Sequence, residues 1–213
     1  MKFDIAARSD IGRVRKRNED AFAVTDGQTD LFWAVVCDGM GGHVHGDLAA
    51  QTAVAVFQKS LNSAKTETFD QNILNKISQA ANQAVVDIQD QDGKTFGMGA
   101  TAVCFVSNPS KQNHLVAHAG DSRLYRLRNA TLEKMTIDHN LGEDLQRSGK
   151  TTDIPLSYRF AQQITRFIGS ETFPGAEISE FEIQSGDIIL LCSDGLYGVL
   201  PDEKVIELID PKI

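Results

Sequence analysis

Three times in this chain an apolar, strand-like segment runs straight into an aspartate beside a glycine. The segments are Ala34-Val35-Val36-Cys37-Asp38-Gly39, Leu115-Val116-Ala117-His118-Ala119-Gly120-Asp121 and Ile189-Leu190-Leu191-Cys192-Ser193-Asp194-Gly195. A carboxylate at the end of a buried strand is costly unless it is paired or bound to a cation. Three at equivalent positions suggest convergence on one cation site, and the glycines let backbone approach a metal or a phosphate. Asp-Gly is also a favoured turn dipeptide. The chain carries its own control: Asp26-Gly27 and Asp92-Gly93 lie in polar surroundings and read as ordinary turns. For one strand-end acid the turn reading serves as well; for all three together it does not.

Around these segments the periodicities describe an α+β protein. Residues 47–61 place Ala50, Ala53, Val54, Phe57 and Leu61 on one helical face, and residues 71–88 do the same with Leu74, Ile77, Ala81, Ala84 and Ile88. Strands are expected at 31–37, 100–106, 115–119, 124–127, 181–183 and 188–192, several of them apolar enough to be buried on both faces. Two helices follow one another between groups of strands. That is not a βαβ alternation, so antiparallel sheets covered by helices are expected. The polar stretch 138–165, with Gly142, Gly149 and Pro155, reads as a short helix and a flap beside the site.

Composition narrows the function classes. A chain of 213 residues with 41% hydrophobic and 23% charged residues is enough for one domain with a real core. No run approaches the roughly 20 apolar residues of a membrane span. Met1-Lys2-Phe3-Asp4 opens without an apolar signal region, so a cytoplasmic protein with no membrane partner is expected. A net charge of −8 argues against a nucleic-acid partner, with Arg13-Val14-Arg15-Lys16-Arg17 the one basic run. Cys37, Cys104 and Cys192 fit no zinc spacing and read as buried, reduced thiols.

The basic run belongs to a fourth element. It leads into Asn18-Glu19-Asp20, where Glu19 and Asp20 are hard oxygen donors suited to magnesium or manganese, and Arg15 is a planar fork of the kind that grips phosphate. Taken in order, the motifs resemble those of the type 2C, or PPM, family of metal-dependent Ser/Thr protein phosphatases in its bacterial branch. They are Arg15 with Glu19-Asp20, Asp38-Gly39-Met40-Gly41-Gly42, Gly97-Met98-Gly99-Ala100-Thr101-Ala102 and Gly120-Asp121-Ser122-Arg123. Thr136-Ile137-Asp138-His139, Ile164-Thr165-Arg166-Phe167-Ile168-Gly169 and Ser193-Asp194-Gly195-Leu196 complete the set, from about Ser9 to Leu196.

The resemblance implies an αββα sandwich of two antiparallel β-sheets flanked by helices, with a metal cleft at one edge. Asp38 would bridge two divalent cations, manganese or magnesium, with the Gly39 carbonyl beside it. Asp194 would hold one of the pair and, with Asp121, a third. Glu19 and Asp20 would act through waters, and Arg15 would orient the phosphate. A water between two cations would attack phosphorus in line, without a covalent intermediate. The implied partner is a phosphoserine or phosphothreonine protein made by a Ser/Thr kinase.

Two departures from the family pattern stand out. Met40 occupies a place where some members carry a histidine; His43 and His45 lie nearby and read as solvated loop residues. No Asp-Asn pair follows Asp194, and Asp202 and Asp210 come too soon to replace it, so a single domain over 1–213, short at its C-terminus, is expected. On that expectation the cation between Asp38 and Asp194 is weakly held or absent, and the monomer has an edge strand on which another chain could pair. Two other functions remain open on the residues alone. One is a regulatory module that has lost turnover; the other is a hydrolase of small phosphoesters.

Overall fold

The computed structural model describes residues 3–25, 30–40, 45–92, 95, 97–149 and 159–209, without the side chains of 90–92. In α1 (Gly46–Asn62) Ala50, Ala53, Val54, Phe57 and Leu61 recur every three or four residues, and all are buried. Asp47 in its first turn and Lys59 in its last suit the helix dipole. The start of α2 (Gln71–Asp92) is capped by Asp70, whose Oδ1 accepts from the Ile73 N–H at 2.9 Å. This helix buries Leu74, Ile77 and Ala81, then Val85 in place of the expected Ala84. From Ala81 a four-residue step returns closer to the same face than a three-residue step does.

The larger sheet runs in the order β1 (Asp20–Val24), β2 (Phe32–Met40), β4 (Ala102–Asn108), β5 (Asn113–Ala119), β8 (Glu177–Glu180), with β3 (Gly99–Ala100) on the end of β2. The smaller sheet is β7 (Thr131–Lys134), β6 (Arg123–Arg128), β9 (Ile188–Cys192), and every pairing is antiparallel. Alternation along β2 sends Trp33, Val35 and Cys37 into the core under α1 and α2. Its other face, with Phe32 and Val36, joins Val103, Phe105, Val116, Leu124, Ile189 and Leu191 between the sheets. Each fully buried large side chain in these two cores contributes about 1.5–3 kcal/mol. A short helix, α5 (Asp202–Ile209), packs beside β7 on the far side. The layers are therefore helix, sheet, sheet, helix, as expected.

Several details differ from the sequence expectation. No strand forms at 181–183: β8 lies just before it, and Phe181 turns into the inter-sheet core 5.9 Å from Phe105. The strand expected at 100–106 breaks at Thr101, whose N–H donates to the Asp38 carbonyl at 2.8 Å. β2 does not end before Asp38 but continues through Gly39 to Met40, because β3 pairs with it there. β9 is only half-buried over most of its length, since it forms an edge of its sheet among the described residues. β1 and β7 were not anticipated. In the stretch 138–165 a short helix does form, α3 (Leu141–Arg147), capped by Asn140 Oδ1 accepting from the Glu143 N–H. Pro155, the Asp26-Gly27 pair, Gly41, Gly42, His43, Gly93 and Asp210 lie outside the described residues; Asp92 closes α2. No helix among the described residues is long and apolar enough to cross a membrane.

Candidate functional site

The antiparallel register of β1 and β2 places Asp20 directly opposite Asp38. Like charges facing one another across a ladder are destabilising. The smaller sheet adds two more acids. Asp121 sits in the turn leading into β6, and Asp194 opens α4 (Asp194–Tyr197) straight after β9. A pocket of about 300 Å³ is lined by Arg15, Glu19, Asp38, Gly39, Thr101, Asp121 and Asp194, together with Met40 and Ile164. Six of the seven residues singled out from the sequence therefore share one pocket. The seventh, Asp20, stands behind it, where the Ser193 hydroxyl donates to its Oδ2 at 2.8 Å.

Burial, then the charges of Asp20, Asp194 and Asp121, push the Asp38 carboxyl up to about 8. Burial and the charge of Asp194 push Asp121 up as well. No lysine or arginine pairs with Asp20, Asp38, Asp121 or Asp194 among the described residues. Arg15 instead meets Glu19, at 3.4 Å, with its side chain 74% exposed. Four hard, mutually repelling carboxylates that no described lysine or arginine pairs with fit divalent cations.

Backbone detail holds the acids in place. Gly39 donates from its N–H to the Glu19 carbonyl at 3.0 Å, and a Cβ there would lie 2.1 Å from the Gly46 carbonyl oxygen. Only glycine lets the start of α1 and Glu19 close on β2 at this point. Gly120 takes φ +100°, and a Cβ on it would meet the Thr101 side chain at 2.6 Å. Thr101 Oγ1 accepts from the Asp38 N–H at 3.0 Å and bonds Ser122 Oγ at 2.6 Å. Thr101 and Ser122 lie inside motifs, but their roles rest on contacts across 63 and 21 residues that no local signal carries. Asp202 is exposed at the start of α5 and does not line the pocket; neither does His45, which precedes α1 in a left-handed conformation.

A second group, His118, His139 and Glu177, has its ligating atoms within 4.8 Å of one another. It is a proton-bearing network rather than a cation site. His118 Nε2–H donates to the Ile137 carbonyl at 2.8 Å. His139 Nδ1 accepts from the Gly120 N–H at 3.2 Å, so its Nε2 carries the proton toward Glu177 Oε2, also at 3.2 Å. The rings stack 4.5 Å apart, and Arg147 and Arg166 already approach Glu177 at 3.2 and 3.9 Å. A cation there would displace a proton and face two guanidinium groups.

Burial, with His118 and Arg166 nearby, pushes His139 down to about 4. The fold thus holds it neutral, while the unfolded chain protonates near pH 6.5. Stability from His139 is fully present above that value and is lost as pH falls toward 4. Wild type should lose about 2–3 kcal/mol relative to His139→Gln between pH 7 and pH 4.5. Urea unfolding of both proteins at both pH values measures this, and the subtraction cancels the opposite slope of Asp38. Equal pH dependence in the two proteins would contradict it.

The profile of the protein phosphatase 2C family matches residues 12–211. The chain is 31% identical over 209 residues to a serine/threonine phosphatase stp of Listeria welshimeri, covering 96% of this chain and 82% of that one. The crystal structure of the Mycobacterium tuberculosis serine/threonine phosphatase PstP superposes with a TM-score of 0.81 at 32% identity, covering 97% of this chain and 85% of the other. A structure of the PstP catalytic domain in complex with two manganese ions matches with a TM-score of 0.78 at 30% identity, over 95% and 82% of the two chains.

Proposed function

The chain belongs to the protein phosphatase 2C family, and from that premise we propose which residues carry its chemistry. It is a serine/threonine protein phosphatase that uses divalent cations, manganese or magnesium. Asp38, Gly39 and Asp194 would hold a pair of divalent cations, Asp121 with Asp194 would offer oxygens to a third, and Glu19 and Asp20 would act through waters. The observation that carries this assignment is the Asp20–Asp38 cross-strand pair beside Asp121 and Asp194, four acids that no lysine or arginine among the described residues pairs with.

Bound cations supply an activated water nucleophile and neutralise charge on the transferring phosphoryl oxygens. The chain's own groups do the rest. Arg15, exposed at the pocket rim and only loosely held by Glu19, swings its fork onto the phosphate. Thr101, in the break between β3 and β4, fixes the Asp38 backbone. Met40 lines the pocket and has no proton to give, so solvent protonates the leaving alkoxide. Burial pushes the Cys37 and Cys104 thiols far up and Cys192 up to about 12, which removes them as nucleophiles. Free, buried cysteines also support a reducing, cytoplasmic setting, and a Ser/Thr kinase must make the substrate.

Loss of the Arg15 fork should raise KM for a phosphothreonine peptide about tenfold or more, the size of a charged hydrogen bond, with manganese binding unchanged. Steady-state kinetics of Arg15→Ala at saturating manganese, beside manganese calorimetry, test it. Unchanged KM and kcat would remove Arg15 from the site. Faster turnover of nucleoside monophosphates than of the phosphopeptide would favour a small-phosphoester hydrolase. No phosphate release at millimolar manganese would favour a binding module.

A further inference from the structure

Tyr197 closes α4, the helical turn that Asp194 opens. Its hydroxyl donates to the backbone carbonyl of Asp121 at 2.9 Å, across 76 residues of sequence. Its ring lies against the guanidinium of Arg123, with Cζ 3.5 Å from the ring centroid. That guanidinium is itself fixed on its other edges. Nε and Nη2 donate to Asp138 at 3.0 and 2.6 Å, and Nη1 donates to the Tyr125 hydroxyl at 2.8 Å. One aromatic side chain thus joins the turn that carries Asp121, the strand that begins at Arg123 and the helix that begins at Asp194.

Without a cation, Asp121 and Asp194 repel one another, and each sits on a short connection rather than in a ladder. His139 holds the backbone of Gly120 before Asp121 and Thr101 holds Ser122 after it, and Tyr197 adds the hold on Asp121 itself. We propose that Tyr197 is a positioning residue that presets the separation of Asp121 and Asp194 for a divalent cation. Its hydroxyl holds the Asp121 backbone carbonyl and also stands beside the Asp121 carboxyl, and it acts by fixing that residue against the α4 turn. Presetting a site removes part of the ordering cost that binding would otherwise carry. The proposal rests on the metal reading above.

The test is manganese binding to metal-stripped protein, followed by calorimetry and by the paramagnetic resonance of free manganese. Tyr197→Phe keeps the ring against Arg123 and deletes only the hydroxyl. It should weaken one class of manganese site about three- to tenfold, as expected for one hydrogen bond, with the number of sites unchanged. Tyr125→Phe is the control, because it deletes a hydroxyl on the same guanidinium without touching Asp121. It should lower the melting temperature by a similar amount and leave manganese affinity as in wild type. Identical isotherms for Tyr197→Phe and wild type would overturn the proposal, as would an equal loss of affinity in Tyr125→Phe. Wild-type protein that takes up no manganese would overturn the metal reading itself, and this inference with it.

Discussion

Asp38→Asn is expected to lower kcat on a phosphothreonine peptide by about 10³-fold or more, on the order of 4 kcal/mol of lost transition-state stabilisation, and to leave the protein folded. The amide has the size of the carboxylate but cannot offer charge to two cations. Nothing in the ladder depends on that charge. The Asp38 N–H donates to Thr101 Oγ1, and its carbonyl accepts from the Thr101 N–H, through backbone atoms that the substitution leaves alone. Asp38 is also the acid most opposed by its surroundings, through burial and then the charges of Asp20, Asp194 and Asp121. Metal-free Asp38→Asn should therefore melt at or above the temperature of metal-free wild type near neutral pH. Kinetics at saturating manganese and melting curves in chelator check the two halves. More than a tenth of wild-type kcat in the variant would sink the assignment.

Manganese should raise the melting temperature of the wild-type protein, and a chelator should reverse the rise. The raised carboxyl of Asp38 means that the folded state holds this proton more tightly than the unfolded chain does. In metal-free protein its contribution therefore favours the fold at low pH and is lost as pH rises from about 4 toward about 8. At pH 7.5 the acids repel, and cations that bind only the folded state relieve them. Each site filled at a hundred times its Kd adds about 2.7 kcal/mol. For a domain of this size that is about 5–10 °C, and about twice as much for two sites. Calorimetric scans at pH 7.5 with manganese and with chelator decide it; coincident curves would contradict the cluster.

Much of this architecture was legible because its signals are local. The stripes of α1 and α2 need only a three-to-four spacing, and the apolar runs of β4, β5 and β9 identify themselves. The misreadings arise where a partner distant in sequence decides. Phe181 and Ile183 look like a strand, but the inter-sheet core claims their side chains and β8 forms one step earlier. β1 is short and nowhere fully buried, and becomes a strand by pairing with β2. The same division holds at the site. Asp38, Asp121 and Asp194 announce themselves by standing beside glycine after apolar strands. That Asp20 stands opposite Asp38 is a fact of register. Tyr197 reaching Asp121 and the His118–His139 stack depend on side chains that no local pattern brings together.

The central claim is that the strand-borne acids hold a pair of divalent cations. Crystals grown with manganese and measured at its absorption edge test it most directly. The account predicts two anomalous peaks that share Asp38 as a ligand, with Asp194 on one of them and Glu19 and Asp20 reached through water, and the loss of both peaks in Asp38→Asn. Peaks confined to His118, His139 and Glu177, or no peak within reach of Asp38, would contradict it.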